Sequence, residues 1–342
     1  MRTKISLLLG FIALAVFAAA AFAPAHYEVK QKYVLGGEGG WDYLTYDSAG
    51  KRLFISRGTH VMVVDPAKGA VVGDVANTPG VHGIALAQEL GKGFTSNGRE
   101  NSVTVFDLKT LKETARIKIE GENPDAILYD PASQRVFTFN GRSKNATVID
   151  AAKGTVVGNI PLDGKPEFAV ADGKGVVFVN IEDKNEITSI DARKAAVIKS
   201  WPLTGCDEPS GLAMDVKNRR LFAGCGNKVM AVVNADTGKV VTTIPIGQGV
   251  DANAFDPDQQ LPFSSNGDGT LTVAHEDSAD KYSVVENVPT QRGARTMALN
   301  TDTHDALLVT AEFEEAPPAK EGERPRRTMK PGTFTLLVVG KK

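Results

Sequence analysis

Seven short segments of the chain open on a residue that could bind a ligand or take part in acid–base chemistry. Each continues with small and apolar residues, and most end on Asp or Asn, as in Asp125-Ala-Ile-Leu-Tyr-Asp130. Successive segments begin 40 to 44 residues apart, so their first residues occupy one position of a repeat. These leading residues are Asp42, His82, Asp125, Glu167, Ser210, Asp251 and Arg295. If the fold gathers them, they form a polar site for a small ligand.

Three of the leading residues could hold a cation. Two of them are carboxylates, which either raise one pKa or recruit a positive charge when they lie close together. Asp125 and Glu167 open consecutive segments, and we expect no basic side chain beside Glu167. Ca²⁺ and Mg²⁺ prefer several oxygen ligands, whereas the imidazole of His82 would suit a transition metal. Asp125, Glu167 and His82 are therefore the candidate metal ligands.

The same leading residues also fit a hydrated rim whose charges pair with one another. In the order of the repeats Arg295 lies between Asp251 and Asp42, so these two carboxylates already have a cationic neighbour. Further arginines occur in turns that should share this face, on consecutive repeats, where they would form a basic arc for a carboxylate or phosphate. They are Arg57, Arg99 and Arg142.

The elements that must position these residues are short strands joined by tight turns. Downstream of the first five segments lies an apolar pair, an Asp or Asn and a turn, as in Val148-Ile149-Asp150-Ala-Ala-Lys-Gly154. A β-rich run follows, so each of these units is a hairpin. Four short strands per period of about 42 residues, with no helical pattern, are typical of a β-propeller. We predict an all-β, seven-bladed β-propeller with four-stranded blades.

The two ends of the sequence predict how the ring closes. The last repeat has only three strands' worth of sequence, and the orphan strand Tyr27–Val34 precedes the first repeat. We expect this N-terminal strand to complete the last blade and remove the sheet edges. Residues 26–342 then form one domain. Its last blade carries a long, charged, proline-rich loop at 313–331, which is either a functional lid or an unstructured surface loop.

The first 25 residues predict export. Arg2 and Lys4 precede an uncharged apolar run from Ile5 to Ala23, which is the pattern of a signal peptide. An uncleaved membrane anchor is the alternative, since the run is nearly long enough to span a bilayer. We therefore expect a periplasmic or extracellular protein, with no membrane contact beyond this segment.

Only two cysteines occur in the sequence, Cys206 and Cys225. This number excludes a multi-cysteine metal site, and no Cys-x-x-Cys-His motif is present for covalent haem. Both cysteines belong to the fifth repeat and should emerge on one face, so we predict a disulfide between them, which an exported protein would keep.

Composition excludes several classes of function. Lys and Arg number 39 against 41 Asp and Glu, and aromatic residues make up 7% of the sequence. A nearly neutral chain with few aromatic residues argues against nucleic-acid binding. Quinone-dependent propellers carry a tryptophan in every blade, whereas this chain has only Trp41 and Trp201, so this class of enzyme is disfavoured.

The repeats resemble the YVTN, or YncE-like, seven-bladed propeller family of exported bacterial proteins. The resemblance spans about Tyr27 to Gly340, and its tetrapeptide survives in altered form as Phe94-Thr-Ser-Asn97 and Phe137-Thr-Phe-Asn140. It implies an exported binding or scaffold protein. Because propellers carry many unrelated activities, the fold alone does not name the function.

Three functions remain open from sequence. We favour a monomeric binding module that uses the face of the leading residues for a small polar ligand or an envelope protein. The alternative is a divalent-metal-dependent lactonase or lyase with the metal at the channel mouth and His82 as acid or base. The third is a purely structural repeat domain of the cell surface.

Overall fold

Seven four-stranded antiparallel sheets make up the part of the chain that the structure describes. The computed structural model describes residues 26–314 and 328–342. The predicted signal peptide and the central part of the predicted long loop, 315–327, lie outside the described residues. Within them, helical structure is limited to two 3-10 turns, Gln88–Leu90 and Glu182–Lys184. The predicted all-β, seven-bladed propeller with four-stranded blades is confirmed.

The strands follow one another in chain order within six of the blades. The N-terminal strand is β1 (Tyr27–Val34), and blade 1 holds β2 (Leu44–Asp47), β3 (Arg52–Ser56), β4 (Val61–Asp65) and β5 (Ala70–Val75). Blade 2 holds β6 (Val81–Ala87), β7 (Lys92–Asn97), β8 (Ser102–Asp107) and β9 (Glu113–Lys118). Blade 3 holds β10 (Pro124–Asp130), β11 (Arg135–Asn140), β12 (Asn145–Asp150) and β13 (Thr155–Pro161).

The second half of the ring repeats this arrangement. Blade 4 holds β14 (Pro166–Ala171), β15 (Val176–Ile181), β16 (Glu186–Asp191) and β17 (Ala196–Pro202). Blade 5 holds β18 (Pro209–Asp215), β19 (Arg220–Cys225), β20 (Val229–Asn234) and β21 (Val240–Pro245). Blade 6 holds β22 (Val250–Asp256), β23 (Leu261–Asn266), β24 (Thr270–Ser278) and β25 (Lys281–Pro289). Blade 7 holds β26 (Met297–Asn300), β27 (Asp305–Thr310) and β28 (Thr335–Lys341), and its fourth strand is β1.

Blade 7 closes the ring as the sequence predicts. Strand β1 pairs antiparallel with β28, from Tyr27 opposite Lys341 to Val34 opposite Thr335. Because β1 covers the backbone groups of β28, the blade gains its outermost strand from the beginning of the domain.

The core lies between the blades. Second and third strands such as β11 and β12 are almost wholly buried, whereas the outermost strand β13 is mostly exposed. Phe137, Phe139 and Val148 of blade 3 pack against Val177 and Val179 of blade 4. Each sheet therefore buries its apolar face against the next blade, which fixes the innermost strands around the central channel.

A buried asparagine recurs at the end of the second strand and orders the turn that follows. In blade 3, Thr138 donates to Oδ1 of Asn140 at 3.0 Å, and Nδ2 of Asn140 donates to Thr147 at 3.0 Å. Asn97 and Asn266 make the same kind of bonds in blades 2 and 6. The Thr-x-Asn spacing that both tetrapeptides share is thus explained by a buried amide that satisfies hydroxyl groups on two strands.

Candidate functional site

The leading residues lie where the innermost strands begin, and buried serines hold their backbone in place. Ser96 of β7 accepts a hydrogen bond from the backbone of Gly83 at 2.9 Å and donates to the carbonyl of Asp125 in the next blade. Ser56 accepts from the backbone of Asp42 at 3.1 Å. The second strands therefore set the position of several leading residues. We call the region formed by Asp42, His82, Asp125, Glu167, Ser210, Asp251 and Arg295 the channel mouth.

Three of the leading residues form a tight cluster at the channel mouth. Nδ1 of His82 lies 2.6 Å from Oδ2 of Asp42 and 3.6 Å from Oδ1 of Asp125. The candidate ligand atoms of all three side chains lie within 4.8 Å of one another. Two of the predicted metal ligands, His82 and Asp125, are thus brought together, with Asp42 as the third member of the cluster.

A basic side chain, that of Lys165, lies beside Glu167, so the expectation that no base lies there is wrong. Nζ of Lys165 is 3.1 Å from Oε2 of Glu167, and the same ammonium group also pairs with Glu182. Residues two positions apart in an extended chain point to the same side, so Lys165 faces the channel together with Glu167. The Lys165-Pro-Glu167 spacing carried this signal in the sequence.

On the other side of the channel mouth the predicted order of charges is present. Nε of Arg295 lies 3.4 Å from Oδ2 of Asp251. The hydroxyl of Ser210 is 3.5 Å from the carbonyl of Asp251, so Ser210 contacts backbone rather than a charged group.

Among the leading residues and their ion-pair partners, carboxylates outnumber basic groups even when His82 is protonated. The acidic side chains are those of Asp42, Asp125, Glu167, Glu182 and Asp251, and the basic ones are those of His82, Lys165 and Arg295. The channel mouth therefore carries a net negative charge when these groups are ionised, which favours a positively charged ligand.

Burial and mutual repulsion shift the titration of these groups. Burial raises the pKa of Asp125 to about 6, with the charge of Asp42 contributing. Burial also raises the pKa of Glu167 to about 7, together with the negative charge of Asp125. The pKa of Asp251 rises to about 6, again mainly through burial. For His82, burial alone would lower the pKa, but the hydrogen bond to Asp42 and the nearby carboxylates raise it.

An aromatic pair divides the channel beneath the mouth. The rings of Tyr43 in blade 1 and Phe168 in blade 4 stack with their centroids 5.1 Å apart. On one side lies a narrow space bordered by Ser210, Asp251 and Met297. On the other side a cavity of about 390 Å³ is lined by apolar side chains of β6 and β10 and opens at the opposite end of the channel. The sequence did not predict this partition, because the two rings come from blades that are not neighbours.

Above the His82 cluster lies an open cavity of about 590 Å³. Trp41, Asp42 and His82 form part of its lining, and the exposed side chains of Arg99 and Arg142 line it as well. A volume of this size is in the range of small-ligand sites.

Arg57 does not join the predicted basic arc. Its side chain is fully buried, with the guanidinium 3.5 Å above the ring centroid of Phe334. Nη2 donates to the carbonyl oxygens of Glu38 and Gly39 at 2.9 and 3.0 Å. The chain that leads into blade 1 therefore covers Arg57, and the arc on the exposed face consists of Arg99 and Arg142.

The long loop of blade 7 leaves the ring next to Trp41. Phe313 and Met329 form a β-bridge at its base, where the backbone of Glu314 donates to Thr328 at 2.9 Å. The ring of Phe313 packs on Trp41 with a centroid distance of 6.0 Å. The base of the loop is thus anchored at the same face as the channel mouth.

Comparisons with known proteins identify the fold and leave the family open. No family model matches the chain, and no curated protein matches it in sequence. Solved structures do match. U3-55K superposes with a TM-score of 0.76 at 6% identity, covering 92% of this chain and 100% of that one. The RRP9 WD40 repeats also give 0.76 at 6% identity, covering 92% and 98%. A chain of the mitotic checkpoint complex gives 0.73 at 14% identity, covering 88% and 96%.

The likeness is one of fold. At these identities the similarity shows the seven-bladed architecture that WD40 repeats also build, and it does not identify the function of the site. Among the described residues, no helix is long and apolar enough to cross a bilayer.

Cys206 and Cys225 form a disulfide in blade 5. Both residues are buried, and the bond ties the loop before β18 to the end of β19. This loop delivers Ser210 to the channel mouth, so the disulfide fixes one sector of the rim.

A second histidine–carboxylate cluster has a structural role. Nδ1 of His304 lies 2.8 Å from Oδ2 of Asp256, and Asp258 is close to both. The other oxygen of Asp256 accepts hydrogen bonds from the backbone of Asp258 and Gln259. The cluster therefore caps the turn between β22 and β23 and links blade 6 to blade 7.

We expect Glu167→Gln to stabilise the protein at high pH. The folded-state pKa of Glu167, about 7, lies above the value of 4.5 for an unfolded glutamate. Its contribution to stability is therefore complete below pH 4.5 and is lost as the pH rises through 7. A shift of this size corresponds to about 3 kcal/mol at most. Urea unfolding at pH 4.5 and pH 8 should show the variant gaining up to this amount over wild type at pH 8.

Glu182→Gln is the matched control, since it removes the other carboxylate that contacts Lys165. The side chain of Glu182 is 30% exposed against 18% for Glu167, so we expect a smaller change. If the free energy of unfolding changes equally in wild type and in Glu167→Gln between pH 4.5 and pH 8, the fold does not raise the pKa of Glu167.

Proposed function

We propose that this protein is an exported binding module that holds a small ligand at the channel mouth through a positively charged group of the ligand. The observation that carries the proposal is the surplus of half-buried carboxylates around Asp42, His82 and Asp125, beneath an open cavity. A cation placed there would restore the charge balance that the fold leaves unmet.

The energetics favour this ligand class over an anion. The raised pKa values of Asp125, Glu167 and Asp251 show that ionising these groups in the folded state costs free energy. A bound cation would recover part of this cost, about 1.4 kcal/mol for each pKa unit it reverses. An anion placed against these carboxylates would add to the repulsion. The binding energy of a cation would therefore come partly from offsetting the free energy that burial costs the ionised carboxylates.

Export is proposed from three features together. Residues 1–25 have the pattern of a signal peptide, and the Cys206–Cys225 disulfide would persist in an oxidising compartment. The resemblance to YVTN propellers points in the same direction. We therefore place the protein in the periplasm or outside the cell. A propeller of this fold also occurs in the mitotic checkpoint complex, so an envelope protein on the same face is the other partner class.

Thermal unfolding with added ligands tests the proposal. Ethanolamine, putrescine, CaCl₂, MgCl₂ and MnCl₂ represent cationic ligands, with glutarate and glucose as the anionic and neutral comparisons. A ligand that binds only the folded state raises Tm, by an amount set by its concentration relative to Kd. We expect at least one cation to raise Tm, and glutarate and glucose to leave it unchanged.

Two variants show where the cation binds. In Asp42→Asn/Asp125→Asn the response should require at least tenfold more ligand. Asp236→Asn is the control, because its carboxylate pairs with Arg219 in a turn at the opposite face of the ring. An unchanged Tm with every cation, or an unchanged response in the double variant, would refute cation binding at the channel mouth.

The metal-dependent enzyme is the second candidate, favoured by one observation. Two carboxylates and an imidazole present their ligand atoms within 4.8 Å of one another, which suits a divalent ion. Asp42, His82 and Asp125 would hold the metal, and the cavity above them would admit a substrate such as a lactone. In the same experiment, a Tm rise with divalent ions alone, reversed by EDTA, favours this function over the binding of an organic cation.

A further inference from the structure

We propose that the ligand of the channel mouth is a zwitterion about the size of a dipeptide, with an ammonium group at one end and a carboxylate at the other. The ammonium would bind Asp42 and Asp125, and the carboxylate would bind Arg99 and Arg142. This inference rests on the proposed function and adds the second charge of the ligand.

The anionic end of the ligand is indicated by two arginines that have no carboxylate partner among the described residues. Arg99 and Arg142 line the 590 Å³ cavity, and neither forms an ion pair with a described residue. Five other described arginines do pair with a carboxylate, at 2.6–3.4 Å: Arg52, Arg116, Arg219, Arg220 and Arg295. Two neighbouring guanidinium groups over one cavity are suited to a carboxylate, which each can bind through a pair of N–H donors.

The cationic end of the ligand is indicated by carboxylate oxygens beneath the cavity that accept no hydrogen bond from the described residues. The carboxylate of Asp125 accepts no hydrogen bond from a described residue, and its nearest donor is Nδ1 of His82 at 3.6 Å. That nitrogen is directed at Asp42, 2.6 Å away. An ammonium group carries three donors and could bind both carboxylates at once.

Glycines hold these groups close to the cavity. A Cβ atom on Gly98 would lie 2.8 Å from Nε2 of His82, and one on Gly80 would lie 2.6 Å from Cγ of Arg99. Gly80 also has a positive φ of 67°. Side chains at these two positions would displace the imidazole and the arginine stem, so the bare backbone sets where both ends of the site lie.

The combination of charges selects the ligand class. A simple cation would satisfy the floor and leave Arg99 and Arg142 without a partner, whereas an anion would meet the net negative floor. A molecule with both charges pairs with the carboxylates through its ammonium group and with the two arginines through its carboxylate. The half-buried ring of Trp41 offers a surface for its apolar part. The cavity volume exceeds that of a single small ion and is suited to an amino acid or a dipeptide.

Isothermal titration calorimetry with three dipeptides tests the inference. The ligands are glycylglycine, glycylphenylalanine and phenylalanylglycine, each as the free zwitterion, the N-acetyl derivative and the C-terminal amide. We expect at least one free dipeptide to bind, and both of its blocked forms to bind at least tenfold more weakly.

Variants assign each end of the dipeptide. Arg99→Gln/Arg142→Gln should reduce binding of the free dipeptide to the level of its amide, and both side chains are exposed, so the fold should tolerate the change. Asp42→Asn/Asp125→Asn should reduce binding to the level of the N-acetyl form. Arg292→Gln is the matched control, because this exposed arginine lines a different cavity of the same face and should leave binding unchanged.

The outcomes separate this inference from the proposed function. If ethanolamine or putrescine binds and no free dipeptide does, the zwitterion is refuted while cation binding stands. The same conclusion follows if the amide binds as tightly as the free dipeptide. If neither the amines nor the divalent ions nor the dipeptides bind, both proposals fail.

Discussion

Arg57→Ala is expected to lower the free energy of unfolding by about 3–4 kcal/mol, the range observed when a large buried side chain is cut back to alanine. The substitution removes the contact of the guanidinium with Phe334 and the two hydrogen bonds to Glu38 and Gly39. It leaves the carbonyl groups of Glu38 and Gly39 without these donors and opens a cavity where the side chain of Arg57 packs on Phe334.

Arg57→Met should be far less harmful, because the positive charge itself is costly. Burial lowers the pKa of Arg57 to about 10, a shift worth about 3 kcal/mol against the charged form. Nε and Nη1 of this side chain also have no hydrogen-bond partner among the described residues. Methionine retains much of the volume without the charge, and replacing a buried ion with an apolar residue is often neutral or stabilising.

Urea unfolding of the three proteins at pH 7 measures both effects. We expect Arg57→Met to lie within about 1 kcal/mol of wild type, since the lost hydrogen bonds and the relieved charge are of similar size. If methionine proves as damaging as alanine, the guanidinium contacts rather than the filled volume stabilise this junction, and the argument from charge burial is wrong.

Removing the disulfide should also cost about 3 kcal/mol. Cys206 and Cys225 are separated by 19 residues, and closing a loop of this length restricts the unfolded chain by roughly that amount. For a domain of this size the change corresponds to a fall in Tm of about 5 °C. Both side chains are buried, so Cys206→Ala/Cys225→Ala avoids burying new hydroxyl groups.

Thermal unfolding with and without a reducing agent provides the comparison. Wild type should lose the same 5 °C when its disulfide is reduced, while the double variant should not respond to the reductant. A wild-type Tm that stays constant after complete reduction would show that the bond does not stabilise the fold.

The fold could be predicted from the sequence because each repeat carries its own local signals. Turns such as Asp150 to Gly154 recur at nearly constant spacing, and each hairpin is formed by residues close together in the chain. The missing strand of blade 7 was visible as the unpaired run Tyr27–Val34. Local pattern and repetition are sufficient for a propeller, since every blade packs only on its neighbours.

The site was predictable only in outline. The repeat placed Asp42, His82 and Asp125 on one rim, but the pairings within it depend on side-chain directions that the spacing does not determine. Lys165 reaches Glu167 because the chain is extended there. Arg57 occupies the same kind of turn as Arg99 yet is buried, because the irregular chain before β2 covers it.

Contacts across the channel could not be predicted from the sequence for a different reason. Tyr43 and Phe168 come from blades 1 and 4, and the repeat describes neighbours in the ring rather than residues that meet across its axis. Such contacts depend on how wide the channel is and how far each ring extends into it. These are properties of the assembled ring.

The pairing of β1 with β28 has a consequence for how the molecule acquires its structure. One strand comes from each end of the domain, so this ladder has a high contact order and its formation carries a large entropic penalty. A chain that emerges N-terminus first must keep β1 unpaired until β28 has been released. Ring closure is therefore a late folding event, and until then the unpaired edge of β28 and the unpaired β1 can associate with other chains.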